Sequence, residues 1–131
     1  MGVKVSNAAG YSTQAVAEIA LCMMLSLLRN IPQVEERCRE GKTKDGLVGC
    51  ELRGKTVGIV GAGAIGCRTA ELCHAFGCKV LGYKRHVKGD EPSFIEFVSL
   101  DELLSRSDIV SLHCPINEDS NTSSMRRPSP R

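Results

Sequence analysis

Three glycines at positions 61, 63 and 66 leave this sequence few folds to choose from. They stand in Gly61-Ala62-Gly63-Ala64-Ile65-Gly66, directly after the short apolar run Thr56-Val57-Gly58-Ile59-Val60. Such a run reads as a strand covered on both faces. Residues 64–76 read as a helix, with Gly77 as its stop. The G-x-G-x-x-G spacing says little alone, but a strand before it and a helix after it make it informative. Gly61 permits a tight turn out of the strand. Gly63 lets the backbone come close to a pyrophosphate with no Cβ in the way. Gly66 lets the helix pack on the strand. The helix N-terminus then presents unpaired N–H groups and a positive dipole end. Gly61, Gly63, Ala64, Ile65 and Gly66 are therefore candidate contacts to the phosphates of a dinucleotide.

The surrounding pattern extends this junction into a fold. Residues 78–83, 95–98 and 108–113 are further strand candidates, and Ser99-x-x-Glu102 is a capping box opening a short helix from Leu100 to about Ser105. Strands and helices alternating with short links predict an α/β, Rossmann-type doubly wound parallel sheet. Ahead of it, Ser12 or Thr13 caps a long helix reaching about Asn30. Its residues are apolar on almost every side, so it should be buried on most of them. Pro32 begins a second, charged helical segment stopped by Gly41. Residues 1–11 read as a linker or strand entering the domain, 12–116 as an incomplete dinucleotide-binding domain, and 117–131 as a disordered Ser/Pro/Arg tail.

Two strand ends add candidate ligand contacts, since ligands of doubly wound sheets lie beyond the carboxyl ends of the strands. One ends in Tyr83-Lys84-Arg85, where a site preferring NAD would keep a carboxylate; none follows until Asp90. Lys84 and Arg85 are suited instead to a 2′-phosphate, which favours NADP(H) slightly over NAD(H). The other ends in His113-Cys114-Pro115, facing the same crevice. With no carboxylate or nucleophile beside it in sequence, His113 reads as a positioning ring more than as an acid or base.

The net charge of +2 argues for neither nucleic acid nor a membrane surface, and without Arg126, Arg127 and Arg131 the remainder is close to neutral. The seven cysteines include no C-x-x-C pair, so neither a disulfide framework nor a zinc ribbon is expected. They read as reduced thiols packed as small hydrophobes, suited to the cytoplasm. Cys67 and His74 could share a helix face, but two groups do not make a structural metal site. No leader peptide is apparent at Met1.

Four blocks, in order, give the chain a family resemblance. They are Val5-Ser6-Asn7-Ala8-Ala9-Gly10-Tyr11-Ser12-Thr13 with Val16-Ala17-Glu18; residues 51–66 through the glycines; Ala75-Phe76-Gly77 with Val80-Leu81-Gly82-Tyr83; and Asp108-Ile109-Val110-Ser111-Leu112-His113-Cys114-Pro115. From Val3 to about Glu118 the chain resembles the D-isomer-specific 2-hydroxyacid dehydrogenases, the group of D-lactate, glycerate, phosphoglycerate and glyoxylate/hydroxypyruvate enzymes. The resemblance implies hydride transfer between NAD(P) and a 2-keto or 2-hydroxy acid. It also implies a separate substrate domain and a homodimer formed through the cofactor domain, with residues 12–29 in the contact. It implies that the catalytic Arg, Glu (or Asp) and His lie beyond the block ending at Pro115, so this chain alone is expected to be inactive. His74, His86 and His113 do not match the catalytic histidine. Ala64 stands where the family usually has Arg, and Lys84 where it has Asp. The alternative expectation is a non-catalytic nucleotide-binding or oligomerising module acting through a partner.

Overall fold

A computed structural model describes Gly2 and residues 10–114. The linker or strand expected over residues 1–11 is described only at Gly2 and residues 10–11, and Pro115 and the tail at 117–131 lie outside the described residues. Two helices come first, α1 (Thr13–Leu28) and α2 (Ile31–Arg39). They are followed by β1 (Thr56–Val60), α3 (Ala64–Ala75), β2 (Lys79–Tyr83), β3 (Ile95–Phe97), α4 (Leu100–Arg106) and β4 (Ile109–Leu112). The four strands form one parallel sheet in the order β3-β2-β1-β4. The doubly wound arrangement expected from the alternation is therefore present.

The alternation of side chains along β1 explains why both faces are covered. Val57 and Ile59 point to one face, where they meet Val80, Ala70 and Cys73 of α3, and Met24 of α1. Val60 points to the other, where it meets Leu81 and the fully buried Leu103 of α4. Gly58 shares that second face. A Cβ there would lie 2.5 Å from a Leu103 methyl, so the missing side chain is what lets α4 come down onto the sheet. Short links set the ends. Gly77 (φ +83°) ends α3, and its carbonyl accepts the N–H of Gly54 (φ +80°) at 3.0 Å, tying the entries of β1 and β2 together. Asp108 accepts the N–H of Thr56 at 2.8 Å and fixes the start of β4 against β1.

The structure departs from the sequence reading in three places. First, α1 is buried along one face only. Ala17 and Met24 are buried against α3 and the core, whereas Ile19, Met23 and Leu27 are 60%, 62% and 78% exposed. Apolar composition on every side does not bury a helix when a neighbour stands on only one, and among the described residues α3 is the principal neighbour. Ser12 also holds the N-cap position without a side-chain cap bond. Second, the capping box of α4 is half made. Ser99 Oγ accepts the Glu102 N–H at 3.2 Å, but the Glu102 carboxylate turns to Arg106 at 2.5 Å, the stronger, charge-assisted partner. Third, only Cys73 and Cys78 are packed as buried hydrophobes. Cys22, Cys38, Cys50 and Cys114 are exposed, and all seven are free thiols.

No single helix among the described residues is long and apolar enough to cross a membrane; α1 and α2 pass that test only as a pair bent by 65°.

Leu103 is the one fully buried side chain that α4 contributes. Leu103→Ala should lower the unfolding free energy by about 2–5 kcal/mol, the usual cost of such a cavity. Urea denaturation followed by circular dichroism measures it. A loss below about 1 kcal/mol would show that α4 does not hold the sheet.

Candidate functional site at the carboxyl ends of the strands

The register brings three chain segments to one edge of the sheet. Val60 pairs with Tyr83 on one side and with Leu112 on the other, so the residues that follow, Gly61, Lys84 and His113, leave the sheet side by side. Hydrogen bonds extend the pairing one step further. The Gly61 N–H donates to Tyr83 O at 2.8 Å, and the His113 N–H donates to Val60 O at 2.8 Å.

Each glycine of the motif meets a different constraint. Gly61 has φ +91°, a region that disfavours side chains, and a Cβ there would lie 2.8 Å from the His113 carbonyl group. Gly66 sits over the turn, where a Cβ would be 2.4 Å from Gly61 O and 3.0 Å from an Ile59 methyl. Gly63 is different. Its φ of −86° is ordinary, and a Cβ would meet nothing within 4 Å. The fold needs glycine at 61 and 66, whereas at 63 the absent side chain leaves open space in front of the helix.

That space faces the start of α3. Gly63 is the N-cap and brings no side-chain cap, and Ala64, Ile65 and Gly66 have N–H groups with no protein acceptor among the described residues. Unpaired donors, the positive end of a 12-residue helix and an uncovered approach are the requirements for holding a phosphate. The junction fits the pyrophosphate of a dinucleotide on these grounds.

The end of β2 is charged, but its charges are arranged differently from the sequence reading. Lys84 Nζ forms an ion pair with Glu91, the carboxylate directly after Asp90. The Lys84 and Glu91 side chains are 20% and 6% exposed. Glu91 also accepts the backbone N–H groups of Lys88 at 2.8 Å and Gly89 at 2.7 Å. The Lys84 ammonium, together with these backbone donors, holds the Glu91 carboxyl down at about 2, far below the usual carboxylate range. Arg85 is exposed and has no ion-pair partner among the described residues.

On the third segment His113 is half-buried, and burial lowers its pKa, so the ring is neutral at pH 7. Its Nε2 lies 2.9 Å from Ser111 Oγ, two residues earlier on the same face of the strand. That i, i+2 spacing was visible in the sequence and passed over. Cys114 is exposed. In the sequence Cys67, one residue past the last glycine, stands out only beside His74, not beside the end of β2. Its thiol donates to Ala62 O at 3.5 Å, and burial raises its pKa against an opposing pull from Lys84. It is a neutral thiol beside the ion pair.

Two hollows carry no glycine turn, and the second reaches this edge at His113. One of about 540 Å³, lined by Thr56, His74, Lys79, Phe94 and Arg106, sits near the amino ends of β1 and β2. The other, about 330 Å³, runs between the exposed face of α1 and β4. No cluster of three metal-ligating side chains occurs among the described residues.

A doubly wound sheet with a glycine turn at its switch point defines a dinucleotide-binding fold. The comparisons narrow this to a family. Residues 21–125 match the family described as "D-isomer specific 2-hydroxyacid dehydrogenase, NAD binding domain". The chain is 42% identical to D-lactate dehydrogenase kk1H of Curvularia clavata, over 97% of its own length and 39% of that protein's. It superimposes with a TM-score of 0.82, at 42% identity, on the pyruvate reductase of Chlamydomonas reinhardtii, covering 90% of this chain and 36% of that one. An acyclic imino acid reductase solved in complex with NADPH and D-Arg is 39% identical, with a TM-score of 0.74, over 83% of this chain and 36% of that one. The chain belongs to the D-isomer-specific 2-hydroxyacid dehydrogenase family, as its NAD-binding domain, and spans under two fifths of the length of these relatives.

The contrast between glycines is testable without ligand. Gly66→Ala should cost about 1–3 kcal/mol of stability, since the backbone carbonyl it meets must shift. Gly63→Ala should stay within about 0.5 kcal/mol of the native chain. Chemical denaturation of both variants measures the difference, and equal losses would refute the assignment.

Proposed function

We propose that the chain is the cofactor-holding part of an oxidoreductase that interconverts 2-keto and D-2-hydroxy acids, with residues 12–116 as the dinucleotide-binding unit. The observation that carries this reading is the junction at 61–66, with its uncovered approach at Gly63 and three free N–H groups. Gly61, Gly63, Ala64, Ile65 and Gly66 hold the pyrophosphate. Tyr83, Lys84 and Arg85 border the adenosine ribose. His113 and Cys114 line the opposite wall of the crevice, with Pro115 a further cofactor contact by its place in the sequence, and the neutral His113 ring, steadied by Ser111, positions the cofactor rather than moving a proton. The nicotinamide supplies or accepts the hydride when bound. The keto or hydroxy acid belongs to the complete enzyme, where the family's other domain meets this one.

The phosphorylated cofactor is favoured modestly. Arg85 is free to meet a 2′-phosphate, and the relative solved with NADPH has the same domain frame. Lys84 contributes less than its sequence position suggests, because Glu91 already engages it. At low salt NADPH should bind roughly fivefold more tightly than NADH, the effect of one exposed charge-assisted contact. The gap should narrow as salt rises. Fluorescence titration measures both affinities, and equal binding would refute the preference. Gly63→Val should weaken both cofactors about tenfold or more while the fold persists.

Dehydrogenase turnover by this chain alone is not expected. The Arg, Glu (or Asp) and His that the resemblance assigns to polarising the carbonyl and transferring the proton have no counterpart at matching positions in these 131 residues. Oxidation of NAD(P)H with glyoxylate, pyruvate or hydroxypyruvate, in a preparation free of host enzyme, would show otherwise.

The exposed apolar face of α1 and the groove beside β4 support a homodimer formed through this domain. Light scattering at high micromolar concentration should show pairs or larger assemblies, and a sharp monomer would count against it. Seven free thiols suit a reducing, cytoplasmic setting.

A further inference from the structure

We infer that Glu91 is a latch on Lys84, keeping that lysine off the cofactor ribose and so setting how strongly the site tells a 2′-phosphate from a 2′-hydroxyl. The inference rests on the dinucleotide reading of the site and assigns a role to a residue that is not itself among the proposed contacts.

The argument begins with position. Lys84 follows Tyr83, whose carbonyl accepts the N–H of Gly61, so the lysine leaves the sheet beside the glycine turn. Cys67, in the first turn of α3, feels the charges of both Lys84 and Glu91. An unpaired ammonium here would be the natural partner of a phosphate on the ribose.

The pair is built to stay closed. Glu91 receives three donors at once: the Lys84 ammonium and the N–H groups of Lys88 and Gly89. The two backbone donors come from the turn at Gly89 (φ +89°), so the loop itself positions the carboxylate. On the lysine side, Phe97 of β3 lies under the ammonium, 5.8 Å from ring centre to Nζ, and opposes its swing away from the loop. With its carboxyl held at about 2, Glu91 remains charged at any pH where the fold is used; its hold on Lys84 weakens only as pH falls from the ordinary carboxylate range towards that value. A 2′-phosphate must therefore compete with a carboxylate already in place, whereas a 2′-hydroxyl asks nothing of Lys84.

The test is a double-mutant cycle on the chain, with NADPH and NADH as probes at low salt. Glu91→Gln should raise the NADPH-to-NADH affinity ratio roughly fivefold to thirtyfold, the worth of one charge-assisted contact at a partly exposed site. The gain should vanish when Glu91→Gln is made in a Lys84→Met background. A ratio unmoved by Glu91→Gln would overturn the latch. A gain that survives without Lys84 would also overturn it, since the carboxylate would then act on the phosphate directly. A second readout needs no Glu91 variant: in the native chain an N-hydroxysuccinimide ester should acylate Lys84 more slowly than the exposed Lys88, and equal rates would refute the sequestration. If the native chain binds neither dinucleotide, the reading of the site itself fails, an outcome distinct from binding with an unmoved ratio.

Discussion

The close approach of two backbones at Gly61 holds the rest of this structure in place. The chain turns there with φ +91° while the His113 carbonyl group lies where a Cβ would be, 2.8 Å away. One contact thus joins the end of β1 to the end of β4, and the hydrogen bond from Gly61 to Tyr83 joins it to the end of β2. Gly66 then seats α3 on the same turn. Any side chain at 61 or 66 would push apart the segments whose convergence creates the site. The open space at Gly63 has meaning only because its neighbours are so tightly placed.

The second half of the site is electrostatic, and its physics differs. The pairing of Lys84 with Glu91 is not fixed by close packing of backbone. Lys84 and Glu91 are brought together by a loop whose turn aims two N–H groups at the carboxylate. On the proposed reading, shape serves phosphate binding in this domain, while charge pairing serves discrimination at the ribose. The family membership concerns the first; the second rests on Lys84 and Glu91 of this chain.

The division explains what could be read from the sequence. Short-range rules were enough for β1, α3 and the glycines, because strand, turn and helix are contiguous there and each residue's reason is local. They were enough for the parallel order too, since links of this length leave few alternatives. They failed for Lys84, because its partner is seven positions on and is reached only through the loop's return. They failed for α1, whose composition announces burial while its surroundings decide how much of it occurs. The exposed cysteines are a similar case: a thiol's tendency to pack inside does not determine whether an inside is available. The Ser111–His113 contact was legible through strand periodicity.

The unequal covering of the sheet has a mechanical consequence. Ten buried residues from α1, α3, the strands and the segments between them knit one face together, while the other rests on Val60, Leu81 and Leu103. The three-residue β3 hangs from β2 alone and is braced to α4 by the exposed Glu96–Arg106 pair. Packing therefore thins from the glycine turn outwards to the edge of the sheet. The glycine turn stands on the densely packed part, and the loop carrying Glu91 leads to the edge strand. If Glu91 is the latch proposed above, substitutions in that loop alter cofactor choice while leaving the glycine turn undisturbed.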